Sequence, residues 1–236
     1  MNKVQGQNVT TDKEVRIPIG GRILQGNLAV PDSARGVVLF AHGSGSSRHS
    51  PRNRYVAQVL QEAALGTLLM DLLTPDEEAF DVHTAALRFD IELLAHRLAA
   101  ATMWLLDQPQ MAQLRIGYFG ASTGAAAALV AAAELPDVVA AVVSRGGRPD
   151  LAGEALRHVV APTLLIVGGK DWTVFELNRK ALAELAAEKR LEIVPGASHL
   201  FEEPGALESV ARLAKNWFGR HLSHRIDDTG SIDAVL

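Results

Sequence analysis

Five residues, Gly120-Ala121-Ser122-Thr123-Gly124, place one serine between small flanks, directly after the apolar run Arg115-Ile116-Gly117-Tyr118-Phe119 and ahead of an alanine-rich stretch. A G-x-S-x-G pentad between a strand and a helix holds its serine on a tight, strained turn, with the hydroxyl raised above the end of a sheet. A serine hydroxyl is a weak nucleophile at neutral pH and needs a base to take its proton. His199, in Val194-Pro195-Gly196-Ala197-Ser198-His199, follows the last apolar run and is the candidate. Asp171 follows Thr163-Leu164-Leu165-Ile166-Val167-Gly168-Gly169-Lys170 and can accept the proton on the histidine's Nδ1, fixing its tautomer. The competing structural readings are a serine that only caps the helix after it and an aspartate that only shapes a turn.

Negative charge that builds on a carbonyl oxygen during acyl transfer must meet backbone N–H groups already in place. The Thr123 amide, next to the serine, is one expected donor. The second is expected from His42-Gly43-Ser44-Gly45-Ser46-Ser47, from the amide of Ser44, with His42 anchoring that loop. The loop could also cradle a phosphate, but it lacks the lysine of a P-loop and the spacing of a dinucleotide site. Arg48 and Arg145 are candidate contacts for an anionic group on a substrate. Surface charge is the plainer reading of both. His83, in the segment after Asp71, is a third candidate for the pocket, and residues 74–87, with Phe80, are expected to lean over it as a loop.

These residues need a scaffold that brings distant loops to one edge. An antiparallel hairpin is expected over residues 14–19 and 23–30, with Gly20-Gly21 as its turn. Short apolar runs then follow at 36–41, 67–72, 114–119, 138–143, 163–167 and 191–194, each bounded by Gly, Pro or Asp, as in strands covered on both faces. Helical spacing fills 53–65, 85–106, 123–134, 151–159, 175–189 and 208–221. The alternation predicts a mostly parallel eight-stranded α/β sheet with helices on both faces and right-handed crossovers. Ser122, Asp171 and His199 then occur in the chain order of α/β-hydrolases, each beyond the carboxyl end of a strand. Residues 1–222 are expected to form one hydrolase domain without a separate lid, and 223–236 a polar tail, disordered or docked on a neighbouring subunit.

Composition narrows the function classes. The chain has 236 residues, 48% apolar and 21% charged, with a formal net charge of −4, which gives no reason to expect nucleic acid or an anionic membrane as partner. With no cysteine there are no disulfides, thiolate metal sites or thiol nucleophile. No secretory h-region or membrane-spanning run is present, so a soluble cytoplasmic protein is expected, monomer or homodimer, acting on a small-molecule ester without metal or cofactor.

On the motifs Ala41-His42-Gly43-Ser44-Gly45, Gly120-Ala121-Ser122-Thr123-Gly124, Gly168-Gly169-Lys170-Asp171 and Gly196-Ala197-Ser198-His199, the chain resembles the dienelactone hydrolase family of α/β-hydrolases over about residues 14–221. It looks especially like the small hydrolase domains appended to some phosphoribosyltransferases. The resemblance implies the same triad and oxyanion donors. Dienelactone hydrolases proper carry cysteine at the position of Ser122, so what transfers is general carboxylic-ester chemistry. The expected activity is a carboxylesterase working through an acyl-enzyme on small esters or lactones. The alternatives are an acyltransferase, peptidase or phosphotriester hydrolase on the same triad, or a non-catalytic binding protein on the hydrolase scaffold.

Overall fold

The computed structural model describes residues 12–223, which leaves most of the expected tail outside the described residues. The chain opens with strands β1 (Lys13–Ile19) and β2 (Arg22–Ala29), paired antiparallel with Ile19 opposite Arg22. Gly20 and Gly21 turn between them at φ +55° and +78°, a two-residue hairpin that requires left-handed backbone at both positions. Six further strands follow: β3 (Gly36–Ala41), β4 (Gly66–Met70), β5 (Arg115–Ala121), β6 (Val139–Arg145), β7 (Thr163–Gly168) and β8 (Lys189–Val194). They form one sheet in the order β1-β2-β4-β3-β5-β6-β7-β8. All pairs from β4 onward along that order are parallel. The arrangement is the α/β-hydrolase fold expected from the alternating pattern.

Helices cover both faces. α1 (Pro51–Glu62) and α6 (Ala206–His221) pack on one, where Phe40, Phe119, Val143, Phe201 and Phe218 are buried. α3 (Ile91–Leu106), α4 (Thr123–Glu134) and α5 (Trp172–Glu184) lie on the other, over Leu39, Leu68, Tyr118 and Leu165. Helix α4 is buried nearly all round, and its alanines combine high helix propensity with side chains short enough to seat it between the sheet and α3.

Four helical elements differ from expectation. Residues 74–87 are not a loop: α2 (Pro75–Thr84) begins on a reciprocal capping box between Thr74 and Glu77, with Pro75 in its first turn. It ends at Ala85 in left-handed conformation (φ +53°), where the buried Asp81 carboxylate accepts the amides of Leu87 and Arg88 at 2.7 and 3.1 Å. The expected helix over 85–106 therefore starts only at Ile91, capped by Asp90. Over residues 149–158 the chain forms a 3₁₀ segment interrupted at Gly153 (φ +52°) instead of an α-helix. Helix α5 stops at Glu184, short of the expected 189.

Candidate active site

Every strand that feeds the site ends at one edge of the sheet. At the end of β5 the chain turns through Ser122 at φ +51° and ψ −123°, a conformation that strains a side-chain-bearing residue. A Cβ on Gly120 would stand 2.4 Å from the Ala125 Cα, and one on Gly124 would stand 2.2 Å from the Ala41 carbonyl oxygen. Only glycine fits at either flank. Ser122 precedes α4 but gives it no side-chain cap, so the reading of this serine as a helix cap finds no support.

Asp171 and His199 meet. The Asp171 Oδ2 lies 2.7 Å from His199 Nδ1, while its Oδ1 accepts the Val174 amide at 3.4 Å as the cap of α5. Holding one carboxylate at both oxygens sets its plane, and with it the plane of the imidazole. The histidine loop is braced in turn. Glu203 accepts the Ser198 amide at 3.0 Å and its hydroxyl at 3.2 Å, and the Lys170 amide donates to the Ala197 carbonyl at 2.9 Å. Hydrogen bonds from Ser198, its amide first, hold the Glu203 carboxyl below the usual carboxylate range.

Ser122 lies alongside. Its amide donates to the Arg145 carbonyl at 3.4 Å and its carbonyl accepts the Arg148 amide at 3.0 Å. Gly146, between those two residues, backs onto the histidine: a Cβ there would stand 3.1 Å from the His199 carbonyl and 3.6 Å from its ring Cε1. Among the described residues no hydrogen bond joins Ser122 Oγ to His199. Such bonds in unliganded hydrolases are commonly long and tighten around substrate.

The loop after β3 closes the other side. His42 Nε2 accepts the Leu72 amide at 3.1 Å, which leaves the ring proton on Nδ1, 3.0 Å from the Gly43 carbonyl. Burial lowers the His42 pKa, against opposing pulls from the Gly43 carbonyl, Asp71 and Glu78. A histidine kept neutral by the fold contributes stability that is complete above its unfolded value near 6.5 and is lost as pH falls through the lower folded value. Urea unfolding at pH 8 and pH 5 is expected to show a larger acid loss for wild type than for His42→Gln. Equal losses would remove His42 as the anchor of this loop.

Between this loop and α2 lies a cavity of about 210 Å³, bordered by Gly43, Ser44, Leu72, Val82, Arg88 and Thr123. Arg88 is held by Asp81, its Nε donating to the carboxylate at 2.6 Å, a pairing that sequence reasoning missed. The proposed anion contacts stand elsewhere. Arg48 is bound to Asp71 and donates from Nε to Asn27 at 3.1 Å. Arg145 is 7% exposed on the α1 side, with Nη2 donating to Asn53 at 3.2 Å and its guanidinium 5.9 Å from the Phe201 ring centre. Burial and the nearby Arg52 lower its pKa to about 10. His83 is exposed on α2, and its neighbour Val82 borders the cavity in its place. The structure thus brings Asp171 to His199 and Ser44 to Thr123; Ser44 and Thr123 border the cavity, and Ser122, Asp171, His199, Arg48, Arg145 and His83 do not. Among the described residues no three His, Asp or Glu side chains gather as a metal site, and no helix is long and apolar enough to cross a membrane.

The sequence matches the dienelactone hydrolase family over residues 24–222. It is 62% identical to a dienelactone hydrolase of Anabaena variabilis, whose crystal structure superposes at a TM-score of 0.89 over 90% of this chain and 98% of that one. Est1E from Butyrivibrio proteoclasticus, 16% identical, shares the fold at a TM-score of 0.74 over 89% of this chain and 99% of its own. A Mycobacterium tuberculosis protein named "Putative phosphoribosyl transferase" is 61% identical over 211 residues, 89% of this chain and 47% of its own length. The chain therefore spans about half the length of the curated relatives it matches at this level.

Proposed function

The chain belongs to the dienelactone hydrolase family, and from that premise we propose that it is a serine hydrolase cleaving small carboxylic esters or lactones through an acyl-enzyme. The observation that carries the reading is the Asp171–His199 bond at 2.7 Å beside a serine on a strained, glycine-flanked turn. In the proposed reaction His199 Nε2 takes the Ser122 proton as Oγ bonds to the substrate carbonyl carbon. The carbonyl π pair moves onto oxygen, where the Thr123 and Ser44 amides receive it. Asp171 steadies the imidazolium. The tetrahedral species collapses as His199 returns the proton to the leaving alkoxide, giving the alcohol and an acyl-Ser122 ester. Water then repeats both steps and frees the acid.

The cavity of about 210 Å³ bordered by the two oxyanion-donor residues, Ser44 and Thr123, has room for a short acyl or alcohol group. The test has two arms. A fluorophosphonate should add one mass adduct at Ser122 in wild type and none in Ser122→Ala. A panel of p-nitrophenyl esters should show kcat/KM highest at short chains. Missing labelling refutes the nucleophile, and a preference for chains of about twelve carbons or more refutes the size limit.

A further inference from the structure

The second oxyanion donor is not idle in the unliganded protein. The Ser44 amide donates to the Thr123 Oγ1 at 3.1 Å. The same Oγ1 lies 2.9 Å from the Ser44 hydroxyl, which is 3.3 Å from the Arg88 carbonyl. Across the 2.9 Å contact either hydroxyl can donate, and the Ser44 proton can go to Thr123 or to the Arg88 carbonyl. In both arrangements the Thr123 oxygen takes the N–H that a substrate oxygen would need. This lies beside the nucleophile, since a Cβ on Gly43 would stand 3.7 Å from Ser122 Oγ.

We propose that the Thr123 hydroxyl is a placeholder in the oxyanion site, satisfying the Ser44 amide until a substrate oxygen displaces it. The inference rests on the reading of Ser122 as nucleophile and of the Ser44 amide as donor. Its physical consequence is selective. A neutral carbonyl oxygen that displaces Thr123 trades one neutral hydrogen bond for another and gains little. A developing oxyanion gains a charge-assisted bond, roughly twice as strong. The placeholder thus weakens substrate binding without weakening the transition state relative to bound substrate, a pattern that leaves kcat in place and raises KM.

Thr123→Ala opens the site. With p-nitrophenyl acetate it should lower KM about fivefold, the size of one net intramolecular hydrogen bond, a larger change than any in kcat. Its second-order rate of labelling by a fluorophosphonate, whose P=O takes the same site, should rise by about the same factor. Thr123→Ser keeps the hydroxyl and should rescue both readouts relative to Thr123→Ala, and a cooperative thermal transition in each variant shows that it folds. A tenfold loss of kcat in Thr123→Ala would mean that the hydroxyl acts in the transition state and would overturn the placeholder, as would unchanged KM and labelling rate. Absence of any adduct in wild type would instead bring down the nucleophile reading, and this inference with it.

Discussion

Ser122→Ala is expected to lower kcat for short p-nitrophenyl esters by about 10⁴-fold to 10⁶-fold, the range seen when a triad nucleophile is removed. Background hydrolysis promoted by the oxyanion donors alone would remain. The loss should come without loss of fold, because the Ser122 side chain caps nothing and its main-chain bonds to Arg145 and Arg148 survive any side-chain change. Ser122→Gly separates chemistry from strain. Both variants lack the hydroxyl, but glycine adopts φ +51° and ψ −123° without the Cβ penalty. Ser122→Gly should therefore unfold at higher urea than Ser122→Ala, by about 1 kcal/mol, at equal loss of activity. Retention of a tenth or more of wild-type kcat in either variant would show that another group attacks the substrate. Equal stability of the two would show that the turn is not strained.

The placing of Ser122, Asp171 and His199 beyond strand ends was legible in the sequence for a physical reason. Parallel strands buried on both faces leave continuous apolar runs, and open α/β sheets gather their chemistry beyond the carboxyl ends of such runs. Ser122, Asp171 and His199 stand where β5, β7 and β8 give out. Helix α2 was hidden by its own first turn: Pro75-Asp76-Glu77-Glu78 looks like a surface loop by composition. The pairing of Thr74 with Glu77, a capping box behind a proline, was the legible signal. The arginines had no such signal. Asp71 neutralises Arg48 across 23 positions and Asn53 receives Arg145 across 92, contacts made by tertiary packing alone. The tie between Ser44 and Thr123, across 79 positions, is of the same kind.

The wall of the cavity rests on a buried ion pair, and its removal is the second large effect expected. Arg97, on α3, is 5% exposed at its side chain, and its two terminal nitrogens donate to the Glu77 carboxylate at 2.6 and 2.7 Å. Arg97 Nη1 also donates to the Leu72 carbonyl at 2.6 Å, and the Thr74 amide donates to Glu77 at 2.9 Å. One guanidinium thereby joins α3 to the start of α2 and to the segment whose Leu72 amide meets His42. Burial alone would raise the Glu77 carboxyl, but hydrogen bonds from Arg97 and Thr74 bring it down to about 2. A carboxyl lowered in this way adds stability above its unfolded value near 4.5 that is lost as pH falls toward 2, so the clamp is fully charged at neutral pH. Glu77→Leu leaves the Arg97 charge buried without its carboxylate and should cost about 3–5 kcal/mol by urea unfolding at pH 7. Adding Arg97→Met removes that stranded charge and should restore most of the loss, because an apolar pair of similar volume avoids the desolvation of both ions. The double variant should still bind esters less well. Without the guanidinium the Leu72 carbonyl loses its bond to α3 and α2 loses a tether beside the cavity, so KM should rise more than kcat falls. A single variant that loses less than about 1 kcal/mol would show that the pair is only a surface contact, and that α2 is held over the site by Asp81 and Arg88 instead.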